Sequence, residues 1–417
     1  MAGAQDNEFN RRAAIMAAFS PSTPINDKDL FRGRHEQLFK VFDVIHGRGQ
    51  HGAVYGERGV GKTSVAAVAS AIADVQGLLT ARVNCDGQDS FSSLWKKVVD
   101  ELDIYVSHPE FTGRAGQHGE DELETAFDQA SGLFLQPDVS PGDVKIGLQL
   151  LSAVQPVVIC FDEFDRVRDD RLKTALADLL KALSDHAVLA TVLVVGVADT
   201  VEDLIHEHES VNRALVQVRI PRMSDEELGE IVDRGLEAAG MDIAEGARRR
   251  IVRLSQGLPH YTHLLGQISA LRALGHQAAQ VEPQDVDDAV DEAIHNTLQS
   301  VVSLYHRATS SPQKNIYAQV LLGCALARTD ERGYFAPADV RQPLSELAGK
   351  RYDIPAFARH LTAFATDRGP VLQKSGRPQR FRYRFRDPLL RPYVLMRGVR
   401  DGLAPMELLE RVQVADS

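Results

Sequence analysis

The sequence predicts an α/β fold, a parallel sheet sandwiched by helices, followed by an all-helical domain and a C-terminal domain of helices and a hairpin. Three observations predict it. Short apolar runs alternate with helix-period patterns from residue 30 to about 220, as expected of strands buried on both faces and joined by crossover helices. From Ser224 to about His295 only the helical period persists. From about Asn296 to Arg400, long helical patterns precede two alternating runs around a Ser-Gly-Arg-Pro turn, a hairpin pattern.

The elements follow in order. Residues 1–28 hold one short helical pattern, over 8–19, and then "SPSTPIND", so an N-terminal extension and linker are expected there. The sheet domain is expected over 29–223, with strands at "GAVYG" (52–56), "LTARVNC" (79–85), "PVVICFDE" (156–163), "ATVLVVGVAD" (190–199) and "ALVQVRI" (214–220). Within 104–150, the polar stretch "SHPEFTGRAGQHGEDE" reads as a surface insertion before a helix near 143–154. "SDEELGEIVDRGLEAAG" opens a helix with Ser224 and, three residues on, Glu227, a capping box. Further helices are expected at 243–255, 261–274 and 286–295, giving a domain over 224–295. The third domain, 296–400, carries helical patterns at 298–327, 337–348 and 355–366, then "GPVLQKSGRPQRFRYRF". Three helices and a hairpin is the order of a winged helix. Residues 401–417 read as a tail.

Bulk properties bound the function. A chain of 417 residues exceeds one ordinary core, and 44% hydrophobic with 25% charged residues is a globular balance. A formal net charge of −11 argues against coating nucleic acid over the whole surface, while leaving room for a local basic patch. Cys85, Cys160 and Cys324 are few and far apart, which reads as reduced core thiols rather than a metal or disulfide framework. The start lacks an apolar signal region and no run of about 18 apolar residues occurs, so a cytoplasmic protein with no membrane contact is expected.

The chemistry sits at "YGERGVGKTS". Gly56, Glu57, Arg58, Gly59, Val60, Gly61, Lys62 and Thr63 match G-x-x-x-x-G-K-[ST] at every defined position, after a strand and before a helix. Glycines let successive backbone N–H groups turn inward on an anion, and the helix that follows adds its positive end. Lys62 is placed to bridge β- and γ-phosphates and Thr63 to ligate Mg²⁺, with Ser64 completing the cradle. About a hundred residues on, "VVICFDEFD" ends a buried strand in two acids. Asp162 is expected to hold the Mg²⁺ water shell and Glu163 to polarise an attacking water as general base. The fold class is therefore an α/β P-loop NTPase with ATP and Mg²⁺ as ligands. No N-K-x-D guanine-reading motif and no L-S-G-G-Q signature occurs, so GTP and transporter-type ATPases are disfavoured.

At these residues the chain resembles AAA+ ATPases of the initiator-like group, which includes origin-recognition and loader proteins. Similar cores occur in bacterial transposition-regulator ATPases and in STAND signalling NTPases. "LFRGRHEQL" (30–38) looks like the segment beside the adenine, which implies nucleotide contact at Gly33 and Arg34. "DEFDRV" (162–167) resembles the extended Walker B of initiators, and "VLVVGVADT" (192–200) the strand carrying the sensor-1 residue. That family has Asn or Thr where Asp199 is the nearest match here, a departure. "SVNRALVQVRIPRMSDEEL" (210–228) resembles the arginine-finger segment, implying that Arg213 reaches a neighbouring subunit's γ-phosphate, with Arg219 and Arg222 as weaker candidates. In the helical lid, "SQGLPHYTHLL" (255–265) offers the G-x-P element of STAND and archaeal-type relatives. Pro259 is then expected against the base, and His260 stands where a charge sensor could sit.

The C-terminal domain has its own charge. From 355 to 400 there are eleven basic side chains and two acids, and Arg380, Arg382, Arg384 and Arg386 alternate with Phe381, Tyr383 and Phe385. On a strand the arginines share one face. With Lys374 and Arg377 at the hairpin tip, such a face suits the phosphates of duplex DNA. It equally suits an acidic protein surface. Two readings remain open: an ATP-hydrolysing, self-associating switch (ring or filament) that engages DNA and regulates a separately encoded effector, or a STAND-like signalling ATPase, for example in phage defence, that gates an effector by protein contacts without DNA. In either, the effector is expected on another polypeptide.

Overall fold

The computed structural model describes residues 2–21, 34–107, 120–205, 213–311, 316–377, 380–406 and 408, with backbone alone at 2–7, 105, 107 and 120. In chain order, α1 (Ala2–Ala18) precedes α2 (His35–His46), β1 (His51–Gly56), α3 (Lys62–Val75), β2 (Leu79–Asn84) and α4 (Phe91–Ser107). Next come α5 (Glu120–Phe134), α6 (Pro141–Val154), β3 (Val157–Asp162), a 3-10 turn at Phe164–Arg166, α7 (Asp170–Asp185), β4 (Ala190–Val197) and β5 (Leu215–Arg219). Helices α8 (Asp225–Ala238), α9 (Glu245–Ser255), α10 (Pro259–Gly275) and α11 (Pro283–His295) follow, with two short strands among them, β6 (Asp242–Ile243) and β7 (Gln280–Val281). The last elements are α12 (Gln299–Thr309), α13 (Tyr317–Leu326), α14 (Pro337–Ala348), α15 (Ile354–Ala365), β8 (Leu372–Ser375), β9 (Arg382–Phe385) and α16 (Leu390–Arg400). No described helix is long and apolar enough to cross a membrane.

The chain divides into two compact units. The sheet unit holds residues 24–57 and 61–221, and the other holds 1–23, 58–60 and 222–417.

In the sheet unit five parallel strands run in the order β2-β3-β4-β1-β5. Every residue of β1 and β3 is buried, which explains why β3 reads as a continuous apolar run, Val-Val-Ile-Cys-Phe, instead of alternating. This order puts the C-terminal ends of β1 and β3 on one edge of the sheet, with β4 between them. The core gathers around Trp95, fully buried, with the rings of Phe134 and Phe161 at 5.2 and 5.8 Å. Phe134 belongs to α5, a helix not expected from the sequence, which follows the stretch read as a surface insertion. Residues 108–119 lie outside the described residues, but α5 carries Phe127, Ala130 and Phe134 into the core. Phe134 takes the space a side chain at Gly147 of α6 would need, since a Cβ there would fall 2.3 Å from its ring. The acids of "GEDELETAF" mask that apolar stripe in the sequence.

In the second unit, Ser224 caps α8 through Glu227 in the expected capping box. The pattern at 298–327, expected to be one helix, is two: α12 ends at Thr309 and α13 starts at Tyr317, on either side of Ser-Ser-Pro. Proline removes a donor and disfavours helix in the residue before it, so the break is local chemistry. β8 and β9 pair antiparallel with Leu372 opposite Phe385, and Phe335 bridges to Tyr383, its ring stacked on it at 6.3 Å. Tyr383 and Phe385 are buried while Arg382 is exposed and Arg384 half-buried, so the strand alternates as its sequence does. Arg380 and Phe381 precede the strand instead of lying on it.

Candidate functional site

The phosphate-binding candidates lie where β1 runs into α3. Gly61 caps α3 in the left-handed region, φ 93°, and Gly59 has φ 84°, conformations costly for any side chain. Gly59 is also tightly placed, because a Cβ there would meet Leu389 at 2.9 Å. Lys62 is buried, and its ammonium donates to the Glu57 carbonyl at 2.8 Å, across the loop's own mouth. Val60 is fully buried, whereas Arg58 is exposed and pairs with Asp387 at 3.3 Å. Ser64 follows on the first turn of α3.

Asp162, at the end of β3, is brought to this loop. Its Oδ1 accepts from the Thr63 hydroxyl at 3.2 Å and from the Glu163 backbone N–H at 2.8 Å. Its Oδ2 is buried and has no hydrogen-bond partner among the described residues. Burial pushes the carboxyl pKa above the ordinary range, partly offset by those two hydrogen bonds and the charge of Arg82 on β2. An unsatisfied, buried carboxylate oxygen beside a threonine hydroxyl is the hard-oxygen set that a Mg²⁺ ion with its waters takes, and a divalent cation would reverse the unfavourable burial. The residues fit the ion.

Glu163 sits at φ 55°, a conformation rare for non-glycine residues and found at functional turns. Its half-exposed carboxylate is held by Arg166, with Nη1 2.6 Å from Oε2. The 3-10 turn that follows is anchored by Asp165, whose Oδ1 accepts the Val197 N–H at 2.8 Å. Sequence reasoning quoted Asp165 without giving it a task. The motif carries no signal for it, because its partner is a backbone N–H thirty-two residues away.

The remaining candidates are spread out. Asp199 is exposed two residues beyond the end of β4. Arg213 is 82% exposed just before β5, its Nη2 3.9 Å from Asp185 Oδ1, and so projects outward from the sheet unit. Arg219 is exposed at the end of β5, and Arg222 donates to the Gln256 carbonyl at 3.1 Å. Gly33 lies outside the described residues. Arg34 is 1% exposed and donates to the Pro221 carbonyl. Pro259 opens α10, and Met223 N–H donates to the Gly257 carbonyl at 2.9 Å just before it. His260 has Nδ1 2.7 Å from the Pro21 carbonyl, and burial lowers its pKa.

The basic candidates sit on the β8–β9 hairpin. Lys374 lies over the Phe381 ring at 3.7 Å. Arg377 and Arg380 are exposed, with Arg380 N–H donating to the Arg377 carbonyl at 2.9 Å. Arg382 pairs with Asp330 at 2.9 Å, and Arg384 donates to Gln373 at 2.7 Å.

Comparison with known proteins gives the family and the fold. A family model described as novel STAND NTPase 1 matches residues 16–373. Among solved structures, a Walker-type ATPase of Pyrococcus abyssi is 16% identical, with 90% of this chain and 99% of that chain covered at a TM-score of 0.54, which shows a shared fold. The ORC2 protein of Aeropyrum pernix is 14% identical over 96% of this chain and 98% of that one, at a TM-score of 0.48. Cdc6p of Pyrobaculum aerophilum is 14% identical over 93% and 98%, at 0.45. No curated protein matches by sequence. With that family model spanning most of its length, the chain belongs to the novel STAND NTPase 1 family of P-loop NTPases.

Proposed function

We propose that the protein is an ATP-hydrolysing, Mg²⁺-dependent switch. The observation that carries this reading is the contact of Thr63 with Asp162, whose second carboxylate oxygen is buried and unsatisfied beside the glycine loop. In this reading Lys62 and the amides of 57–63 hold the triphosphate, and Thr63 and Asp162 hold the ion, which neutralises phosphate charge when bound. Glu163 accepts the proton of an attacking water, once it turns from Arg166. Arg34 in the sheet unit and Pro259 in the lid are each read as candidate nucleotide contacts. Arg213, exposed and weakly paired, serves as the finger completing a neighbour's site on self-association.

We further read residues 296–400 as a winged helix whose hairpin engages duplex DNA through Lys374, Arg377, Arg380, Arg382 and Arg384, coupling nucleotide state to a separate effector. The alternation of buried aromatics and outward arginines on β9 supports it. The signalling alternative is favoured by a different observation: Arg382 and Arg384 already have partners in Asp330 and Gln373, so part of the face is satisfied within the chain. Light scattering of Glu163→Gln with ATP, with and without mixed-sequence duplex, separates them. Assembly that needs DNA supports the DNA reading, and assembly indifferent to DNA supports the signalling one. No ATP-dependent assembly in either condition contradicts the self-association shared by both.

A further inference from the structure

The N-terminal segment, expected to be an extension and linker, is fastened to α8 and α10 at successive points. Arg11 donates to the carbonyls of Gly240 at 2.6 Å and Ala239 at 3.3 Å, at the end of α8. Ile15 and Phe19 are fully buried. Phe19 fills a socket made by two glycines, where a Cβ at Gly235 or Gly266 would fall 2.3 or 2.6 Å from its ring. The Phe19 carbonyl accepts from Gln267 Nε2 at 2.7 Å, and Ser20 N–H donates to His263 Nδ1 at 3.4 Å. The last fastening is His260 Nδ1 to the Pro21 carbonyl.

That last bond decides what His260 does. A carbonyl only accepts, so Nδ1 must carry the proton and the ring is held in one tautomer. Burial disfavours the imidazolium, the hydrogen bond to the Pro21 carbonyl partly offsets this, and the neighbouring positive charge of Arg58 disfavours it further. A neutral ring committed to a main-chain acceptor is poorly suited to reading the charge of a γ-phosphate. It is well suited to holding a chain segment in place.

We infer that residues 11–21 are a strap belonging to the lid, and that His260 is the positioning residue that fixes the strap's end beside Pro259, so that unfastening it weakens the hold on nucleotide. The link to nucleotide rests on reading Gly257–Pro259 as the base-side element.

The test is limited tryptic digestion of the full chain, reading by mass spectrometry the products cut after Arg11 and Arg12, alongside titration with a fluorescent ATP analogue. In His260→Ala, cleavage after these arginines is expected roughly tenfold faster, the factor for one lost hydrogen bond of ordinary net strength, with analogue affinity reduced. In His260→Asn the amide nitrogen takes the place of Nδ1, and wild-type cleavage is expected to return. A sensor that works through imidazolium charge would not be rescued by asparagine. Unchanged cleavage in His260→Ala, or no rescue by His260→Asn, overturns the strap. Faster cleavage with unchanged analogue affinity overturns its role in holding nucleotide. Wild-type protein that binds no analogue would instead contradict the ATP reading, while the cleavage comparison still judges the strap.

Discussion

Thr63 Oγ1 lies 3.2 Å from Asp162 Oδ1, joining the first turn of α3 to the end of β3 across ninety-nine residues of sequence. Two backbone facts create the contact. The glycine loop turns β1 straight into α3, and the sheet order places β3 one strand away from β1. Open parallel sheets bind ligands at the carboxyl ends of their strands, and both residues stand there.

Lys62 is buried and donates to a carbonyl of its own loop, a bond it would exchange for phosphate oxygens in the proposed site. Lys62→Ala is expected to weaken ATP binding about a hundredfold, the scale of a charge-assisted hydrogen bond lost, in an equilibrium titration. Unaltered affinity would remove Lys62 from the site.

Glu163 is expected to act in hydrolysis and not in binding. Glu163→Gln should lower the hydrolysis rate by about 10² to 10⁴, the usual contribution of a general base, while ATP binding persists. Phosphate release assays check the first, titration the second. A variant turning over at the wild-type rate would pass the role to another residue.

The hairpin arginines make a salt-dependent prediction. If they contact phosphates, replacing Arg380, Arg382 and Arg384 with alanine abolishes duplex binding at moderate salt while nucleotide affinity stays unchanged. Single replacements should each reduce the slope of log affinity against log salt by about 0.9. Duplex binding that survives the triple change would assign DNA contact elsewhere.

Two buried histidines are expected to lower stability in acid. Burial holds the folded-state pKa of His51 and of His263 at about 4, against an ordinary value of 6.5. Between those values the unfolded chain binds protons that the native chain does not, so stability rises with pH through that window and is lost as pH falls. Each group contributes at most about 3 kcal/mol. His51 Nδ1 accepts the Val192 N–H at 3.1 Å, and the single tryptophan, Trp95, lies in the same unit. Urea unfolding followed by Trp95 fluorescence should show a lower midpoint at pH 5 than at pH 7. His51→Asn, whose side-chain oxygen can accept in place of Nδ1, should narrow the gap. Equal midpoints in the wild type would contradict the buried-neutral assignment.

The sheet strands were legible because each is a short apolar run next to a motif, and the capping box at Ser224 and Glu227 because its chemistry is local. Asp162 and Glu163 were legible as a pair ending such a run. Helix α5 was not, because acids at its start conceal Phe127, Ala130 and Phe134, which show their common face only once Trp95 and Gly147 meet them. Phe19 was unreadable for a similar reason: its socket is two glycines, Gly235 and Gly266, more than two hundred residues away. The Arg166 grip on Glu163 was hidden as well. A left-handed residue followed by a 3-10 turn is needed to bring those side chains together, and neither has a strong sequence signature.

The central claim is that Asp162 and Thr63 hold the ion that accompanies ATP. The most direct measurement is titration with a non-hydrolysable ATP analogue, with Mg²⁺ and with excess EDTA, for wild type and Asp162→Asn. Mg²⁺ is expected to strengthen wild-type binding at least about tenfold, about 1.4 kcal/mol, and Asp162→Asn to lose this gain. Wild-type affinity that is the same with Mg²⁺ and with EDTA, or a gain that survives in Asp162→Asn, would contradict it.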